Sequence, residues 1–409
     1  MAKGIFFYLL ILVVLVVRIW GLIQPGFTGD VMLNREWGNR VLEVGLVESY
    51  TSQRPGVMHP NYPPSGMIIF ATSALVEKIL STKIIIPTHI YYKIPATLAD
   101  FLTGWLIYVW LKKLKVKSCK FIGLFYLWLP LSWFNSSYWG QVDSIFTLAG
   151  LISLYLLSRR KVFWASLMAV VAMSLKLQAI LFIPAFLYGL IVGNNLSTKS
   201  IFKMLTGTLV GFLVVTMPFM INNEFKVLID VVFGSVGFYP VLSLNAYNLW
   251  WATYADTARS IQSTAESFGI SWRELGVAMW FVWIGSGVIR SLSDKKDEPL
   301  RDISNGMWRI LAMTVIGFFL WNTEMHERYL FVFFPVSMMI TLGSKMTGGW
   351  LTWVLICIFY WFNLAGVLPI FDFDKYYFSI FPKFDVFIAV GLSIFLLVYS
   401  WKLTYNSNK

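Results

Sequence analysis

The sequence predicts an all-α polytopic membrane protein, a bundle of about 12 transmembrane helices. Three observations carry that expectation. Hydrophobic residues make up 57% of the 409 residues and charged residues only 13%, with a mean hydropathy of +0.67. Apolar runs close to the roughly 20 residues needed to cross a hydrocarbon core recur along nearly the whole chain. The net charge of +12 is gathered in short basic clusters between those runs, as in cytoplasmic loops and unlike a nucleic-acid-binding face. In lipid every backbone polar group must be satisfied internally, so the runs are expected as helices. The 19 Trp, 19 Tyr and 34 Phe suit interfacial belts and broad helix–helix packing.

The first run, 4–24, follows Lys3 and ends without a small-residue cleavage site, so it reads as an uncleaved first helix. Runs at 90–111, 121–137 and 142–158 come next. The stretch 162–193 is interrupted by Lys176 and Gln178, and is expected as two short helices, 162–174 and 177–193, meeting at one membrane face. Runs at 202–221, 273–292, 307–321, 328–344, 350–371 and 384–402 complete the set. Residues 66–80 are shorter than the roughly 20 that spanning requires. They read as an interfacial helix on the outer face, inside a large external segment, 25–89. The segment 222–272, with its N-A-Y-N-L-W-W-A-T-Y-A-D stretch, reads as a second external loop. The cytoplasmic segment 293–306 is polar and mixed in charge. No repeat or separate soluble domain stands out.

Charge placement tests this count. With Lys3 inside, Lys112, Lys113, Lys115, Lys117 and Lys120 fall on the same side as Arg159, Arg160 and Lys161. Lys199, Lys203, Arg290, Lys295, Lys296, Arg301, Lys345 and the C-terminal tail follow them. Both termini are then cytoplasmic. Cys119 lies in a Lys-rich turn and Cys357 in an apolar run, so neither a disulfide framework nor a metal site is implied.

Once oriented, five polar constellations converge on the external face. Gly29-Asp30 with Asn34, Arg35, Glu36 and Trp37 follows the first helix, and His59-Pro60-Asn61-Tyr62-Pro63-Pro64 lies further along the same loop. Trp139-Gly140-Gln141-Val142-Asp143-Ser144 sits at the outer ends of the third and fourth spans. Ser174-Leu175-Lys176-Leu177-Gln178 joins the fifth and sixth, and N-T-E-M-H-E-R-Y-L-F, 322–331, joins the ninth and tenth. Each has a plainer reading. Asp143 or Asn135 could cap a helix, Tyr-Pro-Pro is a common rigid turn, and Glu324 with Arg328 could be an i,i+4 ion pair. Lys176 resists such a reading, because a cation at membrane depth costs about 2.5–3.5 kcal/mol on insertion scales. It should face a polar cavity or an anionic partner.

A carboxylate at the water–membrane boundary can act as a general base toward a hydroxyl. Lys176, His326 and Arg328 could hold an anionic lipid head group, with Arg suited to bidentate phosphate contact. That combination suits group transfer from a lipid phosphate to an external acceptor. No H-E-x-x-H, nucleophile elbow or Gly-rich phosphate loop points to another chemistry.

At these residues the chain resembles the GT-C superfamily of polyprenyl-phosphate-sugar-dependent membrane glycosyltransferases. It looks most like the branch of lipid-linked-oligosaccharide glucosyltransferases and bacterial mannosyltransferase-like proteins. The resemblance rests on Asp30, Arg35 and Trp37 at the family's spacing, Tyr62-Pro63-Pro64, Ala99-Asp100, Lys176-Leu177-Gln178 and His326-Glu327-Arg328. It also rests on Trp-Gly-Gln-x-Asp-Ser at 139–144 and Met-His-Glu-Arg-Tyr-Leu at 325–330. It covers most of residues 1–345. It implies a GT-C transmembrane module over 1–221 with two interfacial helices in the first external loop, and a C-terminal helical module over 273–409.

The implied activity is inverting transfer of a hexose, mannose or glucose, to an acceptor hydroxyl. Asp30 is the implied base and Asp143 its rival, while His326, Arg328 and Lys176 hold the donor phosphate. Arg35, Trp37, His59, Tyr62, Trp139, Gln141, Asp143, Gln178 and Glu327 are expected to line the sugar or acceptor pocket. Met32 stands where related enzymes often carry a second acid, so a reaction without metal or cofactor is expected. The implied partners are the polyprenyl-phosphate donor, a glycan, lipid-linked or protein acceptor, and membrane lipids, with no nucleic acid. The implied location is a prokaryotic plasma membrane, with the active face external. Two other readings stay open: protein O- or C-glycosylation on the same fold, and a lipid-linked-sugar transporter or flippase. The internal repeats and midplane polar residues typical of transporters are not seen.

Overall fold

Proline, glycine and buried charge decide where the apolar runs become helix and where they break. The computed structural model describes residues 2–52, 55–194, 196–235, 237–267, 269–294, 299–344, 349–370, 381 and 383–405. Lys295, Lys296, Lys345 and the C-terminal tail, assigned above to the cytoplasmic side, lie outside the described residues, as does the side chain of Lys3.

The chain divides into two units. One comprises Met1–Lys112, Cys119–Phe186 and Leu190–Val236; the other comprises Lys113–Ser118, Leu187–Gly189 and Gly237–Lys409. The main division therefore falls inside the segment 222–272.

In the first unit, α1 (Ala2–Ile23) turns by 77° into α2 (Thr28–Val44). The short α3 (Glu48–Thr51) follows, then α4 (Pro64–Leu80), which begins at the second proline of Tyr62-Pro63-Pro64. That proline occupies the first turn, where its missing N–H has no helical partner to lose. Next come α5 (Thr88–Lys113) and α6 (Cys119–Trp128).

The expected span 121–137 is broken. Pro130 cannot continue the hydrogen-bond ladder, so α6 gives way to the single turn α7 (Pro130–Trp133) and a π-helical turn, Phe134–Trp139. That turn ends at Gly140, whose φ of +93° suits a residue without Cβ. The remaining helices of this unit are α8 (Asp143–Ser158), α9 (Val162–Leu175), a 3₁₀ turn Leu177–Phe182 leading into α10 (Ile183–Asn194), α11 (Thr198–Ile221) and α12 (Phe225–Gly234). Trp37, Tyr50, Met67, Phe70 and Phe219 are buried together as an apolar core drawn from α2, α3, α4 and α11.

In the second unit, α13 (Leu249–Tyr254) is capped by Asn248, whose side chain accepts from Trp251 N. Helix α14 (Trp272–Ser293) opens on a reciprocal Ser271–Glu274 capping box. Helix α15 (Pro299–Trp321) is followed by an extended pair, Met325–His326, parallel to Ser243–Leu244. A 3₁₀ turn, Glu327–Leu330, then leads into α16 (Phe333–Gly343), α17 (Trp350–Val367) and α18 (Phe384–Tyr405).

The protein is thus predominantly α-helical. Among the described residues seven helical stretches are long and apolar enough to cross a membrane, or eight if the bent α1–α2 pair is one span. The apolar helices α6, α8 and α9 are shorter.

The packing of α2 on α4 depends on Gly38, because a Cβ there would lie 2.3 Å from the Phe70 carbonyl oxygen. Gly38→Ala should therefore lower stability by about 1–3 kcal/mol, the usual cost of overpacking. Thermal unfolding in detergent would register this, and a wild-type transition would contradict the close approach.

Candidate functional site

The first unit brings Asp30 to the end of the π-helical turn. Asp30 lies half-buried in the first turn of α2. The backbone joins the two segments through Phe27 N–H donating to Trp139 O at 3.1 Å, and the two rings stack at 5.6 Å. One carboxylate oxygen, Oδ2, accepts from Trp139 Nε1 at 3.2 Å and from Gln141 Nε2. Trp139 and Gln141 are both buried, at 1% and 4% exposure, so these donors are fixed against the interior. Gly140 between them permits the turn: a Cβ would meet Val31 Cγ2 at 2.8 Å. Gln141 N–H is itself tied to Asn135 O at 2.9 Å.

Asp143, three residues beyond Gly140, is held differently. It is buried at the start of α8, its Oδ1 accepts from Lys176 Nζ at 2.5 Å, and its Oδ2 lies 3.5 Å from Asn135 Nδ2. The anionic partner demanded for Lys176 is thus Asp143. Lys176 Nζ also lies 5.7 Å from the Tyr62 ring centroid and 5.8 Å from that of Phe146, within cation–π range. Gln178 follows in the 3₁₀ turn, its Oε1 buried without a hydrogen bond among the described residues.

Other expected site residues hold the unit together. Arg35 Nη2 donates to Glu77 at 2.9 Å, and Tyr92 donates to the same carboxylate at 2.9 Å, tying α2 to α4 and α5. Trp37 is core, with Nε1 donating to Met58 O at 2.8 Å and its ring against Tyr62 at 5.8 Å. His59 is exposed. With Trp37, Glu36, Arg40 and Ser52 it borders a cavity of about 520 Å³.

None of the protein families or curated proteins compared with the chain matches it.

Two further charged groups escaped sequence reasoning. Arg18 on α1 is buried, and its guanidinium is ion-paired with buried Asp100 on α5. Lys93, also buried, donates to the carbonyls of Gln24 at 2.6 Å, Tyr138 at 2.7 Å and Gly21 at 3.3 Å. The available signal was charge inside two adjacent apolar runs, Arg18 in 4–24 and Lys93 with Asp100 in 90–111.

In the second unit, Glu327 is buried at 1% exposure, with Arg328 Nη1 donating to it at 2.8 Å and His326 Nδ1 standing 3.8 Å from its carboxylate. Burial by itself would raise the Glu327 carboxyl, but the Arg328 guanidinium and His326 hold it down at about 2. The His326 ring stands edge-on to Tyr239 and Tyr329, at 5.8 and 5.1 Å. Glu327 therefore orients two basic neighbours.

Glu324 does not form the i,i+4 pair with Arg328 that the sequence allowed. Helix α15 ends at Trp321 and the chain runs extended, so the helical spacing does not exist there. Glu324, at a φ of +64°, instead accepts from Arg273 Nη2 at 2.6 Å, Ser263 Oγ at 2.9 Å and Gly237 N–H at 2.9 Å.

Two consequences can be measured. Lys176→Met leaves Asp143 buried and unpaired, and should cost about 3–5 kcal/mol in thermal or denaturant unfolding. Lys176→Met/Asp143→Leu should recover most of that loss. Glu327 is held below its ordinary value of 4.5, so its contribution is complete above that pH and fades as pH falls toward about 2. Glu327→Gln should flatten the acid side of the stability–pH curve in that window, and an unchanged acid limb would contradict the Glu327–Arg328 pairing.

Proposed function

We propose that the protein is an inverting membrane glycosyltransferase of the GT-C kind. It moves a hexose from a polyprenyl-phosphate donor to an acceptor hydroxyl on the external face of a prokaryotic plasma membrane. In this reading the chain forms about 12 spans with both termini cytoplasmic, and α2 and α4 lie at the outer interface.

One observation carries the reading. The half-buried Asp30 carboxylate is fixed by two neutral donors from the Trp-Gly-Gln-x-Asp-Ser stretch, while the acid within that stretch, Asp143, is committed to Lys176. A base must be ionised, positioned and within reach of the proton it takes. Asp30 suits that role better than Asp143.

In the reaction, Asp30 takes the acceptor hydroxyl proton as that oxygen bonds to the anomeric carbon from the face opposite the phosphate. The carbon–oxygen bond to phosphate breaks, its electron pair stays on the phosphate oxygen, and the anomeric configuration inverts. The departing phosphate gains negative charge. Arg328 and His326 are assigned to it by the resemblance, with Lys176 assisting; a guanidinium braced by Glu327 is a preorganised anion ligand. Trp139 and Gln141 orient the base, and His59 and Tyr62 belong to the saccharide-binding surface.

The test is to incubate the purified, lipid-reconstituted protein with labelled polyprenyl-phosphate hexoses and follow label into lipid, glycan and protein fractions. Asp30→Asn should lower the transfer rate by about 100-fold or more, the range for a positioned base. Asp143→Asn should retain transfer per folded molecule. Full activity in Asp30→Asn with loss in Asp143→Asn would reverse the assignment. Donor movement across the bilayer without any transfer would replace the enzyme by a transporter.

A further inference from the structure

Arg18 and Asp100 lie on helices that carry none of the residues assigned to the reaction, yet their network ends at the base. Arg18 Nη1 donates to Asp100, to Ser136 Oγ at 2.8 Å and to Ser137 Oγ at 3.2 Å, and Nη2 donates to Ser132 Oγ at 2.9 Å. Asp100 also accepts from Ser136 Oγ and, at 2.7 Å, from Tyr126. Ser136 and Ser137 are the middle of the π-helical turn Phe134–Trp139. Trp139 and Gln141, the donors to Asp30, leave directly from its end.

The opposite side of the same turn is fixed by Lys93, which holds the Tyr138 carbonyl together with the Gly21 and Gln24 carbonyls at the end of α1. Gly26 completes the fit, because a Cβ there would lie 2.5 Å from Tyr138 O. Its φ of +71° is also one that glycine accepts most readily.

We infer that Arg18 and Asp100 are positioning residues for Asp30: the buried ion pair sets the π-helical turn that aims Trp139 and Gln141 at the carboxylate. A buried charge pair adds little net stability compared with apolar side chains of similar size, and its better-attested use is to fix one arrangement among several. A π turn is a rare irregularity, frequently found at functional sites. Here the serines that satisfy the guanidinium are the residues that the turn presents. The inference rests on Asp30 being the base.

The test uses the full chain in lipid nanodiscs and the double variant Arg18→Met/Asp100→Leu, which removes both charges and strands neither. The variant should melt cooperatively. Its amide exchange should accelerate within 25–31 and 135–143, and its transfer kcat should fall by about tenfold or more with donor KM within about twofold. Arg18→Lys keeps Asp100 paired and should recover part of both losses. A double variant with wild-type kcat overturns the inference, whether exchange is unchanged or rises evenly along α1, α5 and α6. If the wild-type protein transfers no hexose from any donor, the transferase reading falls. Exchange within 25–31 and 135–143 then still decides whether the ion pair orders the turn: acceleration confined to those segments supports it, and wild-type protection overturns it.

Discussion

A guanidinium and a carboxylate buried between apolar helices constrain the first unit more than any other feature. Charge at membrane depth is tolerated only when its partners are supplied by protein. Arg18 therefore needs an anion and several acceptors, and Asp100 needs several donors. Asp100, Tyr126, Ser132, Ser136 and Ser137 meet those needs. Three of the five lie in 130–139, the stretch where the chain leaves α-helical geometry. Pro130 makes the break and Gly140 ends it, so the polar cluster and the irregular backbone are two aspects of one local solution. Trp139 and Gln141 take their directions from that solution.

The second unit meets a similar demand at the end of α15. Extended backbone between helices leaves N–H and C=O groups that must be paired when water is excluded. Met325–His326 pairs with Ser243–Leu244. Asn363 on α17 donates to Asn245 O at 2.7 Å and accepts from Tyr247 N–H at 3.1 Å, which secures the other side of that pairing. Glu324 fixes the approach through Arg273, and Glu327 receives the side chains that follow. Two acids thus brace a segment whose basic groups carry the resemblance to phosphate-binding motifs.

Much of the helical layout was legible. The expected runs 142–158 and 162–174 match Asp143–Ser158 and Val162–Leu175 closely, because hydropathy reads helix extent directly. The run 121–137 was read as continuous although Pro130 and the polar Asn135-Ser136-Ser137 lie inside it. An averaged hydropathy hides a break that one proline and three small polar residues make. Pairing was much less legible. Lys176 and Asp143 are 33 residues apart and Arg273 and Glu324 are 51 apart. Helical i,i+4 reasoning sees neither pair, and it offered Glu324 to Arg328 instead. Arg18 is invisible to the pattern of polar residues at helix ends, because the partner that explains it, Asp100, lies inside the apolar run 90–111 on α5.

Asp143, within the stretch 139–144, and Asp30, which that stretch contacts, are held in two different ways. Asp143 sits against the Lys176 ammonium, an ion pair that ties the start of α8 to the end of α9. Asp30 receives hydrogen bonds from an indole and an amide, which orient one oxygen. Neutral donors fix the direction of that oxygen without pairing its charge. Lys176 also needs Asp143, since removing either partner of a largely buried pair leaves the other charge uncompensated. The ion pair thus commits one acid to a cation, while the other is oriented by an indole and an amide.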